Sequence, residues 1–268
     1  METKIGKVRE YGQRPRNIVL VHGGPGAWGE MRPVALQLAK TNGVIEPFQT
    51  GITLHSEIEE LRTQIEKYAD QPVILVGFSW GAWLVGLVAA KYPELVEKII
   101  LVSSGPLDKR YVDQMRQTRK ERLECLPAKE KGRMKEIESI LKDDKKEKTD
   151  EILNEYGSLM GMIDSYSRRS DIEPTTERAQ MEIYERIWPE ADKMRRMGEL
   201  LAKFATIKCP VVSIHGDYDP HPADGVRIPL EHTDTNFKQI IIKRAGHKIW
   251  EENYGEKPFY DALFNEIS

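Results

Sequence analysis

The chain has 268 residues, 40% of them hydrophobic, so it can bury one large core, and a single α/β core domain carrying an insertion is expected. Forty Lys and Arg against 43 Asp and Glu leave a net charge of -3, which excludes the electrostatic footprint of a nucleic-acid binder. Cys125 and Cys209 lie far apart and outside any C-x-x-C pattern, so neither a zinc site nor a disulfide framework is indicated and a reducing cytoplasm fits.

Met1 to Tyr11 alternates charged and apolar residues and has no apolar h-region. About 16 residues therefore precede the first clear strand, Ile18-Val19-Leu20-Val21, an unbroken β-branched run that reads as buried on both faces of a parallel sheet. It ends in His22-Gly23-Gly24-Pro25-Gly26, whose glycines let the backbone approach a ligand closely. The loop lacks both the G-x-G-x-x-G spacing and a P-loop Lys-Ser/Thr, which disfavours a phosphate cradle. Helical spacing follows at Met31, Val34 and Leu38, then at Ile58, Leu61, Ile65 and Tyr68, where Ser56 and Glu59 form a capping-box signature.

The next strand-like run, Pro72 to Val76, leads into Gly77-Phe78-Ser79-Trp80-Gly81, and the helix-like run Trp80 to Tyr92 follows. A serine on a tight strand-to-helix turn is forced out of the sheet, and small residues two before and two after it avoid Cβ clashes. The longest apolar stretch, Ala82 to Ala90 with Gly86 inside, is far too short to span a bilayer, so no membrane association is expected.

After the strand Ile99 to Val102 the alternation stops. Apolar residues recur only at helical spacing, as in Met134, Ile137, Ile140 and Leu141, in Ile152, Tyr156, Leu159, Met160 and Ile163, and in Met181, Tyr184, Ile187 and Trp188. An all-helical insertion over 105–205 is predicted, between core segments 1–104 and 206–268. Its acidic and basic residues are evenly mixed, which suits solvated helix faces, Lys142 to Lys148 among them.

Strand character returns at Val211 to His215 and the chain runs into Gly216-Asp217-Tyr218-Asp219-Pro220-His221. A serine hydroxyl attacks carbonyls poorly without a base, and the imidazole base needs an orienting carboxylate. Asp219, four residues past the strand, can project over the sheet end, whereas Asp217 suits a turn residue that accepts backbone N–H groups and remains the alternative acid. His247 follows the strand Lys238 to Ile242 through a short loop and precedes a last helix, Trp250 to Ile267, which is the position a base requires. His221 sits too near Asp219 to swing across to Ser79, His232 reads as a surface residue, His55 carries no signal, and His215 reads as a buried structural histidine. A metal held by His215, Asp217, Asp219 and His221 would need every second side chain of a proline-stiffened segment to fold onto one ion, so no metal and no cofactor are expected. Negative charge on the carbonyl oxygen calls for two backbone donors: the Trp80 N–H, which gains from the helix dipole, and the Gly24 N–H, with Gly23 as alternative.

Taken together, His22-Gly23-Gly24, Gly77-Phe78-Ser79-Trp80-Gly81, Gly216 to Asp219 and Gly246-His247 resemble the α/β-hydrolase fold family of serine-nucleophile type over nearly the whole chain. The resemblance implies a doubly wound, mostly parallel sheet with the insertion as a helical cap, and it places the acid at Asp219, three residues after Gly216. His22-Gly23-Gly24-Pro25-Gly26 with Ser79-Trp80-Gly81 is also similar to the proline iminopeptidase branch. Phe78 and Ala27 stand where that branch has glycine, and its amine-binding cap carboxylates match no position here. The expected protein is a cytoplasmic serine hydrolase acting on an ester or amide of a small molecule or short peptide. The competing expectation is a ligand-binding member of the same fold without turnover. Oligomeric state is not legible.

Overall fold

The computed structural model describes residues 7–143, 145–172 and 177–268. In chain order the first half comprises β1 (Val8–Tyr11), β2 (Ile18–Val21), α1 (Arg32–Leu38), β3 (Val44–Pro47), α2 (Leu54–Tyr68), β4 (Val73–Phe78), α3 (Trp80–Lys91) and β5 (Val96–Val102). Helices α4 (Val112–Glu124), α5 (Ala128–Lys142), α6 (Asp150–Asp164), α7 (Met181–Arg196) and α8 (Glu199–Phe204) follow without a named strand among the described residues. The chain closes with β6 (Val211–Gly216), α9 (Asp224–Glu231), β7 (Phe237–Ile242) and α10 (Glu256–Ile267).

The strands form one sheet in the order β1-β3-β2-β4-β5-β6-β7, parallel except for β1, which pairs antiparallel with β3. Every residue of β2, β4 and β6 is buried, as their unbroken apolar runs require of central strands covered on both faces. Alternation sends successive side chains to opposite layers. Val73 and Leu75 of β4 join the core shared with α2, α3 and α8, whereas Ile74, Val76 and Phe78 join the one shared with α1 and α10. Helix α3 is buried from Trp80 to Ala89 and so lacks a polar face, as a helix enclosed on all sides should.

Several expectations need correction. A strand precedes the run at Ile18, because Val8–Tyr11 pairs antiparallel with Val44–Pro47. Both strands were illegible: the first is half-buried with Arg9 and Glu10 at its centre, and the second is four residues that include Glu46 and Pro47. The capping box of α2 is Thr53 with Ser56, not Ser56 with Glu59; the Glu59 carboxylate instead meets Lys91 and Tyr92. The last helix begins at Glu256, and a 3₁₀ turn, Ile249–Glu251, occupies the start of the expected segment.

The helical insertion is not a separate globule. Helices α5 and α6 share a small cluster of their own around Met134, Ile137, Leu159 and Ile163. By contrast, Ile183, Ile187 and Ala191 of α7 and Phe204 of α8 belong to the main core, and the Phe204 ring lies where a Cβ on Gly86 of α3 would sit, 2.1 Å away. Thus α8, inside the expected 105–205 insertion, packs as a core helix.

Candidate active site

Ser79 stands between β4 and α3 with φ 52° and ψ -111°, a region L-residues avoid, and such strain costs on the order of 1–3 kcal/mol. The flanking glycines permit it. A Cβ on Gly77 would lie 2.3 Å from the Gly81 carbonyl oxygen, and one on Gly81 2.5 Å from both the Val21 and His22 carbonyl oxygens. Phe78 and Trp80 carry side chains because the turn directs them into the two core layers. The Ser79 N–H is secured on the Val102 carbonyl at 2.9 Å.

His247 comes from the loop after β7, and that loop is fixed from three sides. Asp217 accepts the Arg244 N–H at 2.7 Å, the Tyr218 N–H donates to the Ala245 carbonyl at 2.9 Å, and the His247 N–H donates to the Asp164 carbonyl of α6 at 3.0 Å. Asp217, the alternative acid, is therefore spent on backbone. Buried Glu252 accepts the N–H groups of Gly246 at 3.0 Å, Tyr166 at 2.8 Å and Ser167 at 2.6 Å, which sews the segment after α6 to the histidine loop.

The structure brings together three of the residues singled out in the sequence. His247 Nε2 lies 3.1 Å from Ser79 Oγ, and His247 Nδ1 lies 2.8 Å from Asp219 Oδ2. An ionised carboxylate only accepts, so Nδ1 carries the proton and Nε2 is left to accept from the serine hydroxyl. Burial alone would raise the Asp219 carboxyl, but the imidazoles of His247, His221 and His215 hold it well below the usual carboxylate range. His215 is buried, as read from sequence; it meets the His221 carbonyl through Nε2 at 2.8 Å, and burial lowers its basicity.

For the two expected backbone donors, Trp80 is the first residue of α3, where an N–H has no intrahelical acceptor. In the glycine loop a Cβ on Gly23 would strike the Phe78 ring at 2.6 Å, whereas Gly24, at φ 43°, would meet only the Ala27 Cβ at 3.1 Å. Gly24 therefore turns its open side outward and Gly23 packs inward. Above this loop the Gln180 N–H donates to the Gly26 carbonyl at 3.0 Å, bringing the start of α7 onto it. From Trp80 an aromatic series runs to α7: Trp83 lies 6.2 Å away edge-on, Trp188 stacks on Trp83 at 5.9 Å, and Tyr184 stacks on Trp188 at 6.4 Å.

Sequence reasoning missed the part played by three residues. His221, set aside as a base, places Nδ1 2.9 Å from Asp219 Oδ1 and packs against His247 with ring centroids 4.5 Å apart and the planes tilted by 33°. Arg119 and Arg122 of α4, read as part of a solvated face, turn inward. Arg119 pairs with Asp164 at 2.7 Å, and Arg122 donates to the Tyr218 carbonyl at 2.7 Å while covering the Tyr218 ring at 3.6 Å. Only the spacing Arg119, Arg122 on one face of a helix could have hinted at this. Asp219, His221 and His247 offer three metal-type ligand atoms within 4.8 Å of one another. Those atoms are engaged in hydrogen bonds, and the Arg119 guanidinium stands 3.4 Å from His221 Nε2, an electrostatic setting hostile to a further cation. Asp217, the fourth residue of the disfavoured metal set, accepts the Arg244 and Ala245 N–H groups instead.

An open parallel sheet with a strained serine after its fourth strand and a histidine loop after its last defines the serine-nucleophile type of α/β hydrolase architecture. Residues 46–254 match the family model described as alpha/beta hydrolase fold, and the chain belongs to that family. A pyrrolizixenacetamide deacetylase from Xenorhabdus hominickii is 35% identical over 103 residues, 32% of this chain and 37% of that protein, so the match spans little more than a third of this curated relative. Among solved structures, VinJ superposes with a TM-score of 0.70 at 18% identity over 97% of this chain and 93% of its own. Proline iminopeptidase from Mycobacterium smegmatis gives 0.58 at 16% identity over 97% and 93%. A monoacylglycerol lipase from Paleococcus ferrophilus gives 0.59 at 16% over 97% and 97%. At such identities these likenesses carry the fold alone. Among the described residues no helix is long and apolar enough to cross a membrane.

Proposed function

We propose that this protein is a serine hydrolase that cleaves an ester or amide bond of a small substrate through an acyl-enzyme on Ser79. His247 takes the serine proton and returns it to the leaving group, and Asp219 holds the imidazole in the productive tautomer. The N–H groups of Trp80 and Gly24 receive the developing oxyanion, where loss of one donor costs about 10²–10³ in rate. Water then repeats the attack and frees the acid. The observation that carries this reading is the unbroken series Ser79 Oγ, His247 Nε2, His247 Nδ1, Asp219 Oδ2, with contacts of 3.1 and 2.8 Å, built on a serine whose backbone is strained outward. We assign residues 105–205 to the substrate-selecting insertion, and its aromatic series suits an apolar acyl or leaving group. The partial relative named as a deacetylase is consistent with transfer of an acyl group to water.

An aminopeptidase form of the same chemistry has one observation on its side. Glu57, 1% exposed, faces the Trp80 indole and forms no ion pair among the described residues, and a substrate ammonium would be the partner that ionises it.

Labelling with a fluorophosphonate probe tests the chemistry: modification of wild type and none of Ser79→Ala is expected, and equal labelling of both, or of neither, rejects it in favour of a ligand-binding protein. Comparing p-nitrophenyl acyl esters with proline and alanine arylamides divides the two substrate classes, since an aminopeptidase loses activity when the amine is acetylated.

A further inference from the structure

An orienting carboxylate needs one imidazole, and Asp219 has three beside it, of which His215 is taken up by the His221 carbonyl and stands 3.4 Å from Oδ2. Asp219 Oδ2 faces His247, while Oδ1 accepts the His221 backbone N–H at 2.9 Å and faces His221 Nδ1 at 2.9 Å. The far nitrogen of His221, Nε2, stands 3.4 Å from Nη2 of Arg119. A guanidinium has no acceptor, so Nε2 must be the unprotonated nitrogen and the ring proton sits on Nδ1, pointing at Asp219. The tautomer of His221 is thus dictated from the cap, because Arg119 belongs to α4.

Arg119 is itself held. Its Nη2 and Nε donate to the two carboxylate oxygens of Asp164 at 2.7 and 3.2 Å, and the Asp164 carbonyl accepts the His247 N–H at 3.0 Å. The contacts close a ring: Arg119 to Asp164, Asp164 to the His247 backbone, His247 to Asp219, Asp219 to His221, His221 to Arg119. Two members, Arg119 and Asp164, come from the insertion, and three come from the ends of the sheet.

We propose that His221 and Arg119 are positioning residues for the Asp219–His247 pair, so that seating α4 and the end of α6 on the core completes the catalytic arrangement. This rests on Ser79 being the nucleophile. His221 fixes the plane of the Asp219 carboxylate, and Arg119 fixes His221. The charged and titratable groups facing His221 are Arg119 from α4, Asp164 from the end of α6, Asp219 from its own loop, His215 from β6 and His247 from the loop after β7. Burial first, and then Arg119, push the His221 imidazole down to about 4 despite the attraction of Asp219, so it stays neutral over the range in which a serine hydrolase works. Without Arg119, a protonated His221 would donate from both nitrogens and set a positive charge against the imidazolium that must form on His247.

The test uses the full chain as wild type, His221→Phe, His221→Asn and Arg119→Met. It measures kcat and KM on p-nitrophenyl acetate, the rate of fluorophosphonate labelling from pH 5 to 9, and thermal melting. His221→Phe keeps a ring and loses both nitrogens, and its kcat should fall about tenfold or more with KM changed by no more than about twofold, the signature of an interaction made in the transition state. His221→Asn, whose amide N–H can replace the Nδ1 proton, should recover most of the loss. In Arg119→Met the acid limb of the labelling profile should move toward neutral pH by about one unit. Wild-type kcat in His221→Phe, or equal losses in Phe and Asn variants with unchanged melting, overturns the proposal. If His221→Phe does not fold, an unmoved acid limb in Arg119→Met overturns it as well. Absence of Ser79 labelling in the wild type rejects the nucleophile reading and this inference with it; rapid labelling of both wild type and His221→Phe rejects the inference alone.

Discussion

Glu57→Gln isolates a buried proton. The Glu57 carboxyl lies at the start of α2, 1% exposed against the Trp80 indole, and burial together with Glu60 and Glu190 raises it to about 8. In the unfolded chain the same group ionises near 4.5, so folding above that pH must retain a proton that the unfolded state releases. The group's stabilising effect is full below 4.5, is lost progressively as pH climbs to about 8, and changes no further above that. At about 1.4 kcal/mol per pH unit within the window, wild type should lose about 3 kcal/mol between pH 5 and pH 7.5 from this group alone. Glutamine cannot titrate. Its buried amide imposes an offset of about 1–3 kcal/mol that does not vary with pH. The variant should therefore be the less stable protein at pH 5 and gain on wild type with rising pH. Urea melts at half-unit pH intervals give both curves, and at this chain length the relative shift corresponds to roughly 6–12 °C in Tm. Parallel curves for the two proteins would show that Glu57 is ionised in the native state and refute the reasoning.

Gly81→Ala should abolish fluorophosphonate labelling and lower stability by about 1–3 kcal/mol, because the new methyl meets two backbone carbonyl oxygens at 2.5 Å; a variant labelled at the wild-type rate would contradict the elbow geometry. Phe204→Ala should cost about 3–5 kcal/mol in urea denaturation while the folded fraction still labels normally, since its ring fills the core against Gly86 and is remote from the chemistry. Glu252→Gln turns an amide N–H toward backbone donors, so hydrogen exchange at Gly246, Tyr166 and Ser167 should quicken together with a fall in labelling rate; exchange unchanged at all three would show that the carboxylate is not their anchor.

What could be read from the chain without coordinates was local. The strands around Val19, Leu75 and Ile100 are buried on both faces and so announce themselves as apolar runs, while the Ser79 turn announces itself through two glycines whose necessity is steric. Asp219 was found because it follows such a strand closely, and His247 because the run Ile240 to Ile242 marked β7 even though that strand is only partly buried. The strand Val8–Tyr11 failed that test: one of its faces meets solvent, and its charges serve Glu46 and Arg16 through Arg9 and Glu10. The Thr53 cap was missed because Ser56 obeys the same residue preference three positions later.

The contacts that escaped notice share a different physical origin. Arg119, Asp164 and His221 are 45 and 57 residues apart along the chain, and nothing in the neighbourhood of any one of them marks it as inward-facing. An arginine in an evenly charged helix reads as solvated, and is so until a carboxylate from another helix and an imidazole from the sheet end offer it acceptors. The same holds for Phe204, whose apolar character was plain but whose partner, the bare surface at Gly86, is the absence of a side chain. Insertion and core are joined by these nonlocal pairs. A change that loosens α4 or the end of α6 should therefore be felt at His247 before the sheet itself is disturbed.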